Sequence, residues 1–276
     1  MRKILLTVFT VIFAAVFLVS AGFLLDYFIK SRKQKSQYDD LSSLVQQVQQ
    51  QQQQKPNGNS GSSGSQENST EVSKYVDAVD AIGNPIKILR EYAAIYEKNS
   101  DMVGWIRIDG TKIDYPVVQS REWVNFYLTR NFFKETSKHG AIYLNEMADP
   151  RIPSDNQTIY GHRMADGSMF AALHDYKSKK FYDSHSLITF DTLSEYHTYK
   201  IFAVFTTTAS VEDGFQYHEF VDGTAIEFEE YVQKCKELSL YDTGVDVAYG
   251  DKLITLSTCE HAFENGRLVV VAKRIS

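Results

Sequence analysis

The sequence lacks most of the residue patterns that identify common classes of protein. Only 2 of its 276 residues are cysteines, which excludes a disulfide-rich scaffold, and no pair of cysteines stands at zinc-ligand spacing. Neither G-x-x-x-x-G-K-[ST] nor G-x-G-x-x-G occurs, so no motif supports nucleotide chemistry. The formal net charge of −6 disfavours binding to nucleic acid through its phosphates. We therefore expect no metal, no cofactor and no nucleic-acid partner.

Charge is unevenly distributed along the chain. Residues 1–74 carry 8 Lys/Arg against 5 Asp/Glu, whereas residues 75–276 carry 21 against 30. The sequence is 43% apolar and 13% aromatic, so it can bury a sizeable core. These features predict a basic N-terminal segment followed by one acidic folded domain over residues 75–276.

Residues 4–25 form an uncharged run that follows Arg2 and Lys3. As a helix, these 22 residues reach roughly 33 Å, enough to cross the hydrocarbon core of a bilayer. We predict a membrane anchor within residues 1–35, since a run of this length at the N-terminus is rarely a buried core helix. A cleaved signal peptide is the alternative, because Val19-Ser20-Ala21 resembles a cleavage site.

A polar segment separates this run from the folded domain. From Gln46 to Gln54 every residue except Val48 is glutamine, and a Gly/Ser/Asn-rich stretch follows to Ser65. Such a composition cannot bury enough apolar surface to offset its chain entropy. Residues 36–74 are therefore interpreted as a linker, flexible at least in its Gly/Ser part, with a short helical stalk possible over 38–48.

Two helices and eight strands are predicted in the folded domain. Asn84-Pro85 resembles a helix start, and apolar residues at helical spacing predict a helix over 85–99. A second amphipathic helix is predicted over 225–238, inserted before the last two strands. The strands are predicted at 105–108, 113–118, 141–144, 158–160, 187–191, 199–207, 253–258 and 267–273. This mainly β pattern is typical of a closed barrel or a sandwich.

The two cysteines are predicted to differ. Cys235 falls on the apolar face of the second helix, as a small core residue does. Cys259 ends a strand, and Arg267 opens the next one. If these strands pair antiparallel, the two side chains become neighbours at one rim of the sheet. A thiol beside a guanidinium group is typical of a reactive cysteine.

A nucleophilic cysteine needs a proton partner. His162 follows a short apolar strand and a glycine, which places an imidazole at a strand end, where sites on β scaffolds collect. His261 is too close to Cys259 in sequence for a simple pair, although it could line a site. The remaining histidines are predicted to be solvated surface residues: His139, His174, His185, His197 and His218.

Thr255-Leu256-Ser257-Thr258-Cys259, followed by Arg267 and preceded by Tyr160-Gly161-His162, resembles the sortases. Ser257, Glu260 and the late helix are similar to the class B members. The resemblance implies a closed eight-stranded β-barrel with an N-terminal helix and a helix inserted between strands 6 and 7. A pilin-type sortase is a weaker alternative, because the C-terminal hydrophobic segment of that class is missing from the sequence.

The resemblance also implies an activity. Sortases are cysteine transpeptidases of Gram-positive surfaces that cleave a C-terminal sorting signal of secreted proteins. The acyl group passes through a thioester to an amino group of peptidoglycan or its lipid-linked precursor. By this resemblance, Cys259 is the nucleophile, His162 the general acid and base, and Arg267 a hydrogen-bond donor to substrate or oxyanion. Ser257, Glu260 and Asn125 are candidate substrate-binding residues; a solvated rim carboxylate is an equal interpretation for Glu260.

The predicted location conflicts with simple charge counting. Four basic residues follow the apolar run and two precede it, which would place the large C-terminal part inside the cell. The resemblance instead implies a single-pass membrane protein whose catalytic domain is extracellular.

Two further functions remain open at this point. One is a membrane-tethered cysteine peptidase that only hydrolyses, since the same Cys/His pair serves both reactions. The other is a non-enzymatic surface module, such as an adhesin domain with a structural cysteine.

Overall fold

The computed structural model describes residues 2–53, 73–80, 83–120, 123–210 and 212–276. The chain divides into two compact units, Met1–Leu41 and Ser42–Ser276. The helices are α1 (Arg2–Gln53), α2 (Arg90–Tyr96), α3 (Lys179–Ser184) and α4 (Ala225–Leu238), with 3-10 helices at Phe126–Leu128 and Ala171–Lys177. The strands are β1 (Tyr75–Val79), β2 (Pro85–Leu89), β3 (Met102–Arg107), β4 (Asp114–Val118), β5 (Ile142–Leu144), β6 (Asn156–Tyr160), β7 (Leu187–Thr192), β8 (Thr198–Thr208), β9 (Leu253–Glu260) and β10 (Gly266–Arg274).

Helix α1 contains the predicted apolar run and extends well beyond it. It is long and apolar enough to cross a membrane by length and composition. The possible helical stalk over 38–48 is present, and the helix continues through the glutamines to Gln53, because glutamine is a good helix former. Within the second unit, the Ser42 hydroxyl donates to the carboxylate of Asp114. The Gly/Ser-rich part of the predicted linker lies outside the described residues.

The folded domain is a closed eight-stranded barrel, with strand order β10-β8-β7-β3-β4-β5-β6-β9. All eight strands predicted from the sequence are present, and α4 lies between the sixth and seventh of them, as the resemblance implied. Most neighbouring strands run antiparallel, but β4 pairs with β5 and β6 pairs with β9 in parallel. Pro116 pairs with Trp105 of β3, and the pairing of β4 with β5 begins only at Val117.

The helix predicted over 85–99 is partly wrong. Residues 85–89 form β2, which pairs antiparallel with β1 in a separate two-stranded sheet, and the helix begins only at Arg90. Asn84 closes the turn between these strands, where its backbone N–H donates to Asp80 at 2.9 Å. The cause is the hairpin pairing with β1: Pro85-Ile86-Lys87-Ile88-Leu89 also has the alternation and branched residues of a strand.

Helix α4 agrees with the prediction at both ends. Thr224 caps it in a reciprocal capping box with Glu227, which satisfies two backbone donors of the first turn. Its apolar face packs against β8, β9 and β10 in one hydrophobic cluster that includes Cys235. Cys235 is fully buried, which confirms its prediction as a core residue.

The strands that carry the candidate site meet at one rim of the barrel. The pairing of β6 with β9 ends at Tyr160 opposite Ser257, and β9 pairs with β10 so that Cys259 lies opposite Arg267. The predicted proximity of Cys259 and Arg267 is therefore confirmed. His162 follows the end of β6 by two residues, so the chain brings it to the same rim.

Candidate active site

A cleft of about 970 Å³ opens at this rim. Five of the six residues predicted for the site line it: Cys259, His162, Arg267, Ser257 and Asn125. Residues that the sequence reasoning did not single out also line it, among them Tyr143, Asn145, Tyr160 and Tyr217. Tyr143 and Tyr160 lie on predicted strands and Tyr217 lies in the segment between β8 and α4, but nothing in their local sequence distinguishes a cleft tyrosine from a core tyrosine.

Cys259 and His162 both line the cleft, and their interaction shifts the pKa of each. The hydrogen bond with His162 lowers the pKa of the Cys259 thiol below its ordinary value, against the opposing effect of burial, and the charge of Arg267 lowers it further. The same hydrogen bond raises the pKa of His162 above its ordinary value, although burial opposes the shift. Both directions favour transfer of the thiol proton to the imidazole, which produces the nucleophilic thiolate.

The orientation of His162 is determined by a backbone carbonyl. Its Nε2 lies 2.8 Å from the carbonyl oxygen of Leu128. A carbonyl can only accept, so Nε2 carries the proton, and in the neutral ring Nδ1 is the nitrogen that can accept from the thiol. The Leu128 carbonyl therefore selects the tautomer that suits a general base.

Two glycines allow this arrangement. A Cβ at Gly161 would lie 2.5 Å from Cδ1 of Ile142 and 2.7 Å from the Phe170 ring. Gly140 has φ +59°, and a Cβ there would lie 2.7 Å from the Leu128 carbonyl oxygen and 3.0 Å from Cδ2 of His162. A larger side chain at Gly161 would therefore displace Ile142 or Phe170, and one at Gly140 would displace the Leu128 carbonyl or the imidazole.

Arg267 supplies the positive charge of the cleft. Its guanidinium group donates to the carbonyl oxygens of Asn265 at 3.2 Å and Gly266 at 2.9 Å. Within the described ranges, no ion pair involves Arg267, so its charge is not neutralised by a carboxylate. These contacts aim a planar donor group at the rim beside Cys259.

Ser257 and Asn125 form part of the cleft wall. Ser257 is 2% exposed, and its hydroxyl lies 2.6 Å from the hydroxyl of Tyr217. Asn125 has φ +59°; its backbone N–H donates to Glu146 at 2.6 Å, and its side-chain oxygen accepts from Tyr143 at 3.0 Å. Both side chains are thus held by neighbours that also line the cleft.

The structure does not bring Glu260 to the cleft. Strand alternation places its side chain on the opposite face from Cys259, where it is 4% exposed and contacts Lys177. The interpretation of Glu260 as a solvated rim carboxylate is wrong. Burial acts to raise its pKa, but hydrogen bonds from Lys177 and from the Ala262 backbone outweigh burial and hold the pKa below its ordinary value.

The surface prediction for the other histidines is partly wrong. His139 and His197 are only 5% and 7% exposed. His139 lies 3.3 Å from Asp166, a partner 27 residues away that no local pattern reveals. His174 contacts the backbone of Cys259, and His218 lines the cleft.

Known proteins resemble the chain closely in sequence and in structure. The family model described as "Sortase domain" matches residues 106–275. Sortase B of Listeria monocytogenes is 37% identical over 188 residues, which are 67% of this chain and 74% of that protein. The chain belongs to the sortase family. Sortase B of Staphylococcus aureus is 31% identical over 187 residues, 67% of this chain and 75% of that sortase.

Solved sortase B structures share the fold. The Staphylococcus aureus sortase B–substrate complex aligns with a TM-score of 0.71 at 25% identity, covering 90% of this chain and 99% of that chain. Sortase B of Clostridium perfringens aligns with a TM-score of 0.61 at 32% identity, covering 66% of this chain and 98% of that chain. The chain is accordingly a sortase B-type cysteine transpeptidase that joins secreted proteins bearing a C-terminal sorting signal to the cell wall.

Proposed function

We propose that Cys259, His162 and Arg267 carry the transpeptidation. The observation that supports this assignment is that the three residues line one cleft, with Arg267 paired opposite Cys259 in the β9–β10 ladder. The Cys259 thiolate attacks the scissile carbonyl of the sorting signal. The protonated imidazole of His162 then gives its proton to the leaving amine, and a thioester remains.

The second half of the reaction uses the same groups in reverse. An acceptor amine attacks the thioester, His162 takes a proton from that amine, and the Cys259 sulfur leaves as a thiolate. A thioester reacts more readily with an amine than the original amide does, so one difficult step becomes two easier ones. In both halves Arg267 donates hydrogen bonds to the developing oxyanion or to the adjacent substrate backbone.

Substrate contacts are proposed for Ser257 and Asn125. Both lie in the cleft wall, and each is positioned by a tyrosine hydroxyl, from Tyr217 and Tyr143 respectively. We do not extend this role to Glu260, because its carboxylate lies on the other face of β9. The peptide of the sorting signal would lie along the cleft between these contacts and Cys259.

The N-terminal part is proposed to attach the enzyme to the membrane. The length and hydropathy of α1 support a retained single-pass anchor over residues 1–35, with a linker over 36–74 and the catalytic domain over 75–276 on the outside of the cell. Protease treatment of intact cells tests the orientation: an extracellular catalytic domain is degraded, whereas a cytoplasmic one is protected.

A panel of fluorogenic sorting-signal peptides, with and without an amine, tests the function. A sortase B has been solved in complex with triglycine, so this peptide is one suitable amine, beside a diamino-acid cross-bridge peptide. We expect ligated product to form only with the amine and only with Cys259 present. Cleavage that never yields a ligated product with any acceptor would favour the peptidase that only hydrolyses.

A further inference from the structure

The backbone of Cys259 lies beyond the point at which the pairing of β6 with β9 ends. The Gly161 N–H donates to the Ser257 carbonyl at 3.1 Å, just past the last pairing of β6 with β9. Alternate residues of a strand direct their backbone groups to the same edge, so the Cys259 carbonyl faces the edge that the Ser257 carbonyl faces. At Cys259, however, β6 has already ended. A carbonyl so placed needs another hydrogen-bond donor.

His174 provides that donor. It lies on the 3-10 helix Ala171–Lys177, and its Nε2 is 3.0 Å from the Cys259 carbonyl oxygen. Because a carbonyl only accepts, Nε2 carries the proton. Burial lowers the pKa of His174 below its ordinary value, so the neutral ring with one proton is the dominant form near neutral pH. The side chain is 12% exposed and does not line the cleft.

The Glu260 carboxylate lies close to His174 and to Arg163, the residue that follows His162. Its carboxylate accepts from Lys177, at the end of the same 3-10 helix, and lies 3.8 Å from Nδ1 of His174. The other carboxylate oxygen lies 3.8 Å from the guanidinium of Arg163, which directly follows His162 in the chain. One buried carboxylate thus contacts side chains adjacent to Cys259 and to His162.

We propose that His174 is a positioning residue for the transpeptidation: its Nε2–H takes the place of the missing strand partner and holds the main chain of Cys259. Glu260, which accepts from Lys177, lies against the Nδ1 side of the His174 ring. This inference rests on the proposed role of Cys259 as the nucleophile. His174 contacts no substrate, so it acts on the rate of the chemical steps and leaves substrate binding unchanged.

The test compares two replacements that differ in one donor. His174→Gln keeps an N–H near the position of Nε2, whereas His174→Met fills similar space without a donor. We expect His174→Met to lower kcat about tenfold, the effect of one lost hydrogen bond, with KM unchanged. His174→Gln should retain most of kcat. His197→Met is the matched control, because His197 is 7% exposed and does not line the cleft.

Three results would overturn the proposal: full kcat in His174→Met, equal loss in His174→Gln, or an equal loss of kcat in His197→Met at matched thermal stability. Should His174→Met fail to fold, Lys177→Met gives a second test, since the Lys177 side chain is 41% exposed. We expect a several-fold lower kcat than in the surface control Lys179→Met; equal values would also refute the proposal. If Cys259→Ala retained activity, the proposed function itself would fail.

Discussion

Gly140 is the position at which one added methyl group most directly tests how His162 is held. Alanine in its left-handed backbone conformation, at φ +59°, costs about 1–2 kcal/mol. Its Cβ would also lie 2.7 Å from the Leu128 carbonyl oxygen, and displacing packed neighbours costs about 1–3 kcal/mol more. We expect Gly140→Ala to lower the free energy of unfolding by about 2–5 kcal/mol. It should also move the carbonyl that orients the imidazole.

Gly244 supplies a control with the same backbone strain and no contact. It has φ +66°, and a Cβ there would meet nothing within 4 Å. Gly244→Ala should therefore cost only the backbone strain, about 1–2 kcal/mol, and leave catalysis unchanged. Thermal unfolding measures the first effect, at roughly 2–4 °C per kcal/mol for a domain of this size.

Comparing kcat of Gly140→Ala and Gly244→Ala shows whether the Leu128 carbonyl orients His162. Below the unfolding temperature of both variants, Gly140→Ala should reduce kcat for peptide cleavage by at least about tenfold, because small displacements of a catalytic group are costly. Equal kcat in the two variants would show that the orientation of His162 does not depend on the Leu128 carbonyl. Equal stability would show that the loop yields to the added methyl group without strain.

Three further predictions concern the reactive groups. Cys259→Ala should lower cleavage by at least about 10³-fold, whereas Cys235→Ala should cost about 1–3 kcal/mol of stability but keep activity; equal kinetic loss would contradict their separate roles. Arg267→Gln should raise the pKa of the Cys259 thiol, because the charge that lowers it is removed. The thiolate needs a pH above that pKa, so alkylation of Cys259 and the acidic limb of activity should both move to higher pH; an unmoved profile would contradict the reasoning. Arg267→Lys should restore the profile but not kcat, because an ammonium group lacks the planar fork; full activity would show that a point charge suffices.

The sequence was informative where a feature depends on local pattern. Alternation predicts the eight barrel strands and the neighbouring positions of Cys259 and Arg267. Helical spacing predicts α4. Strand alternation also predicts that Glu260, which follows Cys259 directly, points to the opposite face of β9 from the cleft. The side chain of Glu260 therefore points away from the cleft, although the resemblance made it a candidate substrate-binding residue.

Features that depend on a partner outside the local pattern were not predictable. Pro85–Leu89 is a strand because it forms a hairpin with Tyr75–Val79, although Asn84-Pro85 resembles a helix start. His139 is buried and contacts Asp166, and His174 donates to a carbonyl 85 residues away. In each case the local residues are compatible with two environments, and only the tertiary fold selects one.

The unequal lengths of β6 and β9 explain why the active site lies at this rim. The rim is where β6 ends while β9 continues, so backbone groups that would have paired in a sheet must find other partners. The backbone N–H of Gly161 donates to the Ser257 carbonyl, and the Nε2–H of His174 donates to the Cys259 carbonyl. A sheet edge that is completed by side chains can hold a nucleophile rigidly and still leave its cleft side open. We therefore expect substitutions behind β9 to change kcat alone, and substitutions in the cleft wall, such as Asn125→Ala, to raise KM. Measurement of both constants across the two groups checks this division, and a rise in KM from the residues behind β9 would argue against it.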